Sequence, residues 1–410
     1  MKKQFFLSPL ALIMANSSPA QSLYDIGEDS QESFPLEWVA GADIIYDDNV
    51  LPGADTKDAS FAINPSIALA TRATTPQTVW DIKGCLGFIY YFDKPIGAGG
   101  EDINSQSRLT ADLIHNFSER IRFVNHSLVA YELEPAYSYG YATSRVLGAY
   151  TTWSTDNAVG YRFTERVGNY FGCRVMNTTY SDAEDNDRFN WELYTQFRYQ
   201  LSPQAVLTPE YRFSQLEANG VASDSTNHYL TFGAEREFSS TLKGVFAAGV
   251  QYREVDQGTS SSSPYLQLAI NAQVNKDFTV RAFTRYGIEA YDTVLTDPDP
   301  AIGLVEFDDK KTLRIGLSSD YVISPSLSLK GGLDYTPSSF EKGRSVAEPA
   351  YNGSISDAYE NLLNAYVGLN FKINEIFSIN SYYTYTNSSS DVSDRSYDRN
   401  RISVGASAKF

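Results

Sequence analysis

From Leu36 to Phe410 the sequence divides into eighteen runs of alternating apolar and polar residues, joined by links that are by turns tight and long. The runs span approximately 36–46, 58–71, 77–92, 103–116, 120–134, 147–163, 167–180, 187–200, 204–217, 226–238, 241–255, 264–275, 277–291, 310–323, 326–337, 360–373, 376–387 and 397–410. Strand side chains alternate between faces with period two, so each run predicts a strand with one apolar and one polar face. Most exceed the ~9–11 residues that a tilted strand needs to cross a bilayer. After even-numbered runs the link is tight, as in Ala73-Thr74-Thr75-Pro76, Ser118-Glu119, Ser202-Pro203, Ser239-Ser240, Lys276-Asp277, Ser324-Pro325 and Asn374-Glu375. After odd-numbered runs it is longer and polar, as in Asp93–Ile103, Ala218–Ser225, Asp292–Asp309 and Ser338–Tyr359. A sandwich or propeller has no reason to sort its loops this way. A membrane barrel has one: short periplasmic turns and longer extracellular loops.

The individual runs carry the pattern. Trp80, Ile82, Gly84, Leu86, Phe88, Tyr90 and Phe92 oppose Asp81, Lys83 and Cys85, with large aromatics at both ends of the apolar set. Two interfacial girdles demand that placement. The sixth run is the weakest, because Thr151, Thr155 and Asn157 blur its apolar face, so sixteen strands is also tenable. The expected fold is therefore all-β: a transmembrane, antiparallel, up-and-down barrel of about eighteen strands. Composition agrees, with 29 Tyr, 23 Phe and 4 Trp beside a low mean hydropathy. Alternation of lipid-facing and water-facing residues averages out the apolar signal in this way.

Lys2 and Lys3, an apolar run from Phe5 to Ala15 and the small residues Ser18-Pro19-Ala20 read as a cleavable signal peptide over residues 1–20. The run is far shorter than the ~20 residues of a spanning helix. Residues 21–35 are acidic and poor in strand formers, and read as a short periplasmic leader; the barrel then occupies 36–410. Little room is left for a plug or passenger domain. Formal charge is −17, and 31 basic residues face 50 acidic ones once Lys2 and Lys3 are cleaved away, which argues against binding nucleic acid. Cys85 and Cys173 fall on runs four strands apart and read as two incidental thiols.

The final run sets Ile402, Val404, Ala406, Ala408 and Phe410 against Arg401, Ser403, Gly405, Ser407 and Lys409. It resembles the closing strand of bacterial outer-membrane barrels, which implies that Phe410 belongs to the signal read by the barrel-assembly machinery. Near the start, Trp38-Val39-Ala40-Gly41 runs into Tyr46-Asp47-Asp48-Asn49-Val50. This resembles the "Y-D-D-N" opening of the "putative β-barrel porin" families of Gram-negative bacteria. The resemblance implies an outer-membrane channel, among lipid and lipopolysaccharide, without assigning residue roles.

If the apolar face meets lipid, the polar face lines the interior. Candidate pore-lining residues are Lys83, Arg122, Glu192, Arg198, Glu210, Arg212, Arg253, Arg281, Arg285, Arg314, Asp320 and Lys330, with Arg120, Glu132, Glu235, Glu237, Lys243, Glu289, Asp334 and Lys372 on the same face. A barrel of this size is too wide for side chains to fill, and charge rings set the field that solutes feel. Six arginines between the eighth and fourteenth strands (Arg198, Arg212, Arg253, Arg281, Arg285, Arg314) would favour anions if grouped on one wall. The bland alternative is that charges merely satisfy one another across strands. Asp292, Asp297, Asp299, Glu306, Asp308 and Asp309 read as an acidic outer loop, and loops 292–309 and 338–359 are candidates to fold inward.

Chemistry has weak support. His115, His126 and His228 lack metal-ligand spacing, no nucleophile elbow or phosphate loop is present, and a Ser–His pair around His126 is a remote option. Asp47-Asp48-Asn49 and Asp297-Pro298-Asp299 could hold calcium but read more simply as solvated acids. No cofactor is expected. The reading is a non-enzymatic porin that passes small hydrophilic solutes, with a homotrimer compatible with its size. The alternatives are a barrel that binds surfaces through loops 292–309 and 338–359, and a soluble exported all-β binding protein.

Overall fold

The computed structural model describes residues 37–50, 57–93, 103–133, 149–181, 187–220, 222–256, 258–290, 293–297, 299, 302–346, 353, 355–392 and 395–410. The expected signal peptide and leader lie outside these residues. The strands are β1 (Glu37–Asp47), β2 (Ser60–Thr74), β3 (Thr78–Tyr91), β4 (Ile103–Asn116), β5 (Ile121–Glu132), β6 (Tyr150–Arg162), β7 (Val167–Tyr180), β8 (Arg188–Ser202), β9 (Ala205–Leu207) and β10 (Glu210–Ala218). They continue as β11 (Ser225–Ser239), β12 (Leu242–Val255), β13 (Ser260–Asn275), β14 (Phe278–Glu289), β15 (Val294–Thr296), β16 (Leu304–Ser324), β17 (Leu327–Ser345), β18 (Ala358–Lys372), β19 (Phe377–Ser390) and β20 (Tyr397–Lys409).

All pairings are antiparallel and, apart from β9 and β10 and from β14 and β15, every strand pairs with the next in sequence, until β20 returns to β1 and closes the sheet. Two staves come in pieces. β9 and β10 both lie between β8 and β11, parted at Thr208-Pro209, where proline lacks the amide a ladder needs. β14 and β15 both pair with β16, Glu289 facing Lys310 and Val294 facing Glu306. Merging these pieces leaves eighteen staves. The sixth run is a full strand, in register with both neighbours, which rules out the count of sixteen.

Closure separates the two faces. Ile44, Phe61, Leu86, Val129, Phe171, Leu230, Leu317, Val367 and Val404 are outward and exposed, and Phe171 and Leu230 show 61% and 62% of their surface. A soluble protein rarely tolerates a continuous apolar belt, so the soluble alternative is overturned. Tight turns stitch one end with local bonds, as where Ser118 Oγ accepts from the Ile121 amide (3.1 Å) and Asn374 Oδ1 from the Phe377 amide (2.8 Å).

Two expectations need correcting. Residues 304–309 and 338–345 are strand, since β16 and β17 overrun the predicted lengths and keep one register along most of their pairing. Glu306, Asp308 and Asp309 are therefore not loop acids; they are 1–3% exposed on β16. The Asp47-Asp48-Asn49 acids are not solvated either. Arg399 Nε donates to both Asp47 carboxylate oxygens (3.0 Å each), the Asn400 amide and side chain donate to Asp48 (2.6 and 2.7 Å), and Asn49 Nδ2 donates to the Asp398 carbonyl (2.9 Å). The motif fastens β1 to β20. Lys57, beside it, hydrogen-bonds Asp398, which holds its ammonium above the ordinary lysine range. Lower on the seam, Asp43 accepts from Asn380 Nδ2 (3.0 Å) across Gly405, and Lys409 pairs with Glu37 at 2.7 Å.

Candidate functional site

The inner wall is built by parity. On β8, Arg188, Asn190, Glu192, Tyr194, Gln196 and Arg198 face inward, against Phe189, Trp191, Leu193, Phe197 and Tyr199 outside. The same alternation places all twelve candidate residues on the inner face of their strands. Lys83 lies 3.5 Å from Asp81, and Arg122 donates to Asn116 (2.8 Å). Both of these inward cations thus have a polar partner on the wall.

The densest network spans β6 to β16. Arg174, which the sequence list missed, bridges Asp156 (2.9 Å) and Glu192 (2.7 Å), and Tyr194 donates to Asp156 at 2.8 Å. Arg212 lies 3.7 Å from Glu192 and 3.6 Å from Glu210. Its guanidinium sits 4.4 Å from the Tyr229 ring centroid and 5.6 Å from that of Tyr265, in cation–π range. Arg198 grips Glu235 with two bonds (2.8 and 2.5 Å). Glu289 is shared by Arg314 (2.5 and 2.9 Å) and Arg285 (3.1 Å), while Arg281 meets Asp320 at 2.7 Å and Lys330 lies 3.9 Å from that same carboxylate. Five of the six grouped arginines therefore face carboxylates, so the expected anion-favouring strip is not bare. Arg253, 1% exposed, is the exception: among the described residues it has no carboxylate partner and donates instead to the Glu289 carbonyl (2.9 Å).

Aromatic side chains lie against this wall because glycine sits opposite them. A Cβ at Gly172 would lie 2.1 Å from Tyr194 Cζ, and the directly opposed pairs Gly160–Tyr170, Gly332–Tyr366, Gly368–Tyr382 and Gly316–Phe283 repeat the arrangement. Each glycine gives a ring room to lie flat over the neighbouring strand rather than project into the interior. Elsewhere the inner face is not polar: Ile45, Ala62, Ile89 and Tyr91 form an apolar patch on β1–β3.

The end opposite the tight turns is partly covered. Pairing of β13 with β14 stops at Leu266–Tyr286, although β13 continues along β12 as far as Ser260. In the gap, Gln251 of β12 takes the place of a strand: its Nε2 donates to the Ile288 carbonyl and its Oε1 accepts the Ile288 amide, both at 2.8 Å. Beyond it, the overrunning ends of β16 and β17 reach strands that are not their neighbours. Glu306 accepts from the Ser223 amide (2.7 Å) and hydroxyl (3.0 Å), Asp308 from the Thr259 amide and hydroxyl (2.7 and 2.8 Å), and Asp309 from Ser261 (2.7 Å). Arg344 binds Glu306 and Ser223, and Lys342 takes a left-handed backbone (φ 58°) that sets its ammonium 3.1 Å from Asp309. Ser223 precedes β11, four staves from β16, roughly 19 Å around the wall at ~4.8 Å per strand. That contact requires the β16–β17 end to lean across the mouth. The same end packs Val305, Phe307, Phe340 and Leu295 with Ala358 and Val392.

The histidines do not assemble a catalytic group: His126 bonds Asp112, His115 bonds Thr78 and His228 bonds Tyr211. Asp299 and Asp297 are joined by a local turn in which the Asp299 amide donates to Asp297 (2.8 Å). Cys85 faces inward and Cys173 outward, both unbridged.

Residues 145–410 match the family described as "Putative beta-barrel porin 2". No curated protein matches the chain. Among solved structures, it is similar to OccAB4 of Acinetobacter baumannii (14% identity, 94% of this chain and 100% of that one, TM-score 0.43). It is also similar to the outer membrane protein OpdK of Pseudomonas aeruginosa (10%, 93% and 100%, 0.45) and the FrpB iron transporter of Neisseria meningitidis (10%, 91% and 82%, 0.43).

Proposed function

The chain belongs to the "Putative beta-barrel porin 2" family, and from that premise we propose that it is an outer-membrane channel passing small hydrophilic solutes by diffusion along its ion-paired inner wall. The observation that carries this reading is the separation of faces: an exposed apolar belt outside, and charged, hydrogen-bonded side chains inside a closed barrel. Eighteen staves enclose more space than side chains fill, as in porins. The twelve candidate residues are assigned to the solute path, with Arg212, Arg285 and the Glu289 that pairs with it setting its field. The path is passive rather than catalytic. Phe410, 71% exposed, is assigned to recognition by the barrel-assembly machinery.

Reconstitution of the purified barrel into planar bilayers tests the proposal. Stepwise conductance is the expected outcome; a folded barrel that stays silent at all voltages overturns it.

A further inference from the structure

The lipid-facing belt is interrupted at one place. Asn125 and Ser127 of β5 and Thr155 and Asn157 of β6 point outward, Asn125 directly opposite Asn157 and Ser127 opposite Thr155. Asn125 Nδ2 donates to Asn157 Oδ1 (2.8 Å) and lies 3.1 and 3.2 Å from Ser127 Oγ and Thr155 Oγ1, which share its second hydrogen; Ser127 Oγ lies 3.2 Å from Asn125 Oδ1 and 3.0 Å from Thr155 Oγ1; and Asn157 Nδ2 donates to Thr155 (2.9 Å). Among the described residues, Asn157 Nδ2 makes one hydrogen bond, to Thr155. Along these strands the cluster lies between Phe123, Val159 and Tyr161 towards the tight turns and Val129, Trp153 and Tyr131 towards the other end. It therefore sits near mid-membrane depth, where no water is present to bond a spare amide or oxygen. Among the described residues no other two carboxamides oppose each other directly on the outer face. These are the residues that blur the sixth run, and nothing in the channel explains them.

We propose that this face of β5–β6 docks a second copy of the same chain, related by a twofold axis along the membrane normal. The patch is uncharged and offers donors and acceptors together, so it is complementary to itself. Copies inserted in one orientation hold their patches at one depth, and a twofold brings each patch onto its counterpart. A different partner would need a matching amide cluster at that depth, whereas a second copy necessarily has one. Val129, Val159 and Phe171 rim the patch, exposed by 50%, 47% and 61%, and would exclude lipid around it.

The inference rests on the apolar belt facing lipid, which conductance and heat-modifiable mobility of the barrel report separately. In a Cys85→Ser, Cys173→Ser background, single cysteines are placed at Ser127, at Val129 and, on the far wall, at Leu317. Outer membranes are then oxidised with copper phenanthroline. Dimers trapped at least tenfold faster at Ser127 and Val129 than at Leu317 are expected; equal rates, or no dimer at either patch position, overturn the proposal. A heat-modifiable Asn125→Leu, Asn157→Leu barrel should lose the dimer band on native gels, and its retention overturns the proposal. So do cross-linked trimers, or adducts solely with another protein.

Discussion

Asp47 on β1 and Arg399 on β20 form a buried two-point ion pair across the line where the barrel closes. Removing one partner of such a pair leaves an uncompensated buried charge, a loss of ~3–5 kcal/mol. Asp47→Ala should accordingly lower the urea midpoint of unfolding in lipid vesicles, followed by tryptophan fluorescence. Asp47→Ala together with Arg399→Met should recover much of the loss. An unchanged midpoint in the single variant would remove the clasp from the account of stability.

Gly172 and Tyr194 lead to a prediction about pore width. Gly172→Val cannot coexist with the ring in its present place, because a Cβ would stand 2.1 Å from Cζ. The ring must swing inward and forfeit its 2.8 Å bond to Asp156. Unit conductance should fall, and Tyr194→Ala added to Gly172→Val should restore it. A conductance unaffected by the first change contradicts the role given to the glycine.

Glu289 neutralises two guanidinium groups at once. Glu289→Gln should leave the wall more positive and move the reversal potential in a KCl gradient towards that of chloride. The same variant should lose ~3–5 kcal/mol of stability, the loss typical of a broken buried pair. Unaltered selectivity would place the current elsewhere in the lumen.

The leaning end of β16–β17 is held by buried carboxylates. Glu306→Gln with Asp308→Asn weakens its hold on Ser223, Thr259 and Arg344. Single-channel records should show larger or more frequent openings than the parent barrel. Identical records would mean that this end does not restrict the path.

Much of the architecture is legible before any coordinates, because a wall with lipid on one side and water on the other writes its faces into every second residue. β4 and β7 occupy their expected spans residue for residue. The overrun of β16 is hard to read for the complementary reason: Asp308-Asp309-Lys310-Lys311-Thr312 are all polar, so alternation breaks inside the strand and the acids before the break resemble a loop, although Glu306, Asp308 and Asp309 are buried. Within the site, parity finds inward charges such as Arg212 and would also have found Arg174. It cannot find their partners, since Glu192 meets Arg174 only through a register between strands that the chain does not spell out. The flat packing of Tyr194 on Gly172 is hidden for the same reason.

The clasp joins positions 352 residues apart, whereas every other boundary between staves belongs to consecutive segments. Ring closure carries an entropic penalty that grows with the span enclosed, and non-local contacts form slowly. By that reasoning successive hairpins zip before the final cyclisation, and the Asp47–Arg399 latch lies on the stave boundary whose closure costs the most chain entropy. A circular permutant with β1 and β20 joined covalently would make that latch local and transfer that entropic cost to whichever boundary had been opened.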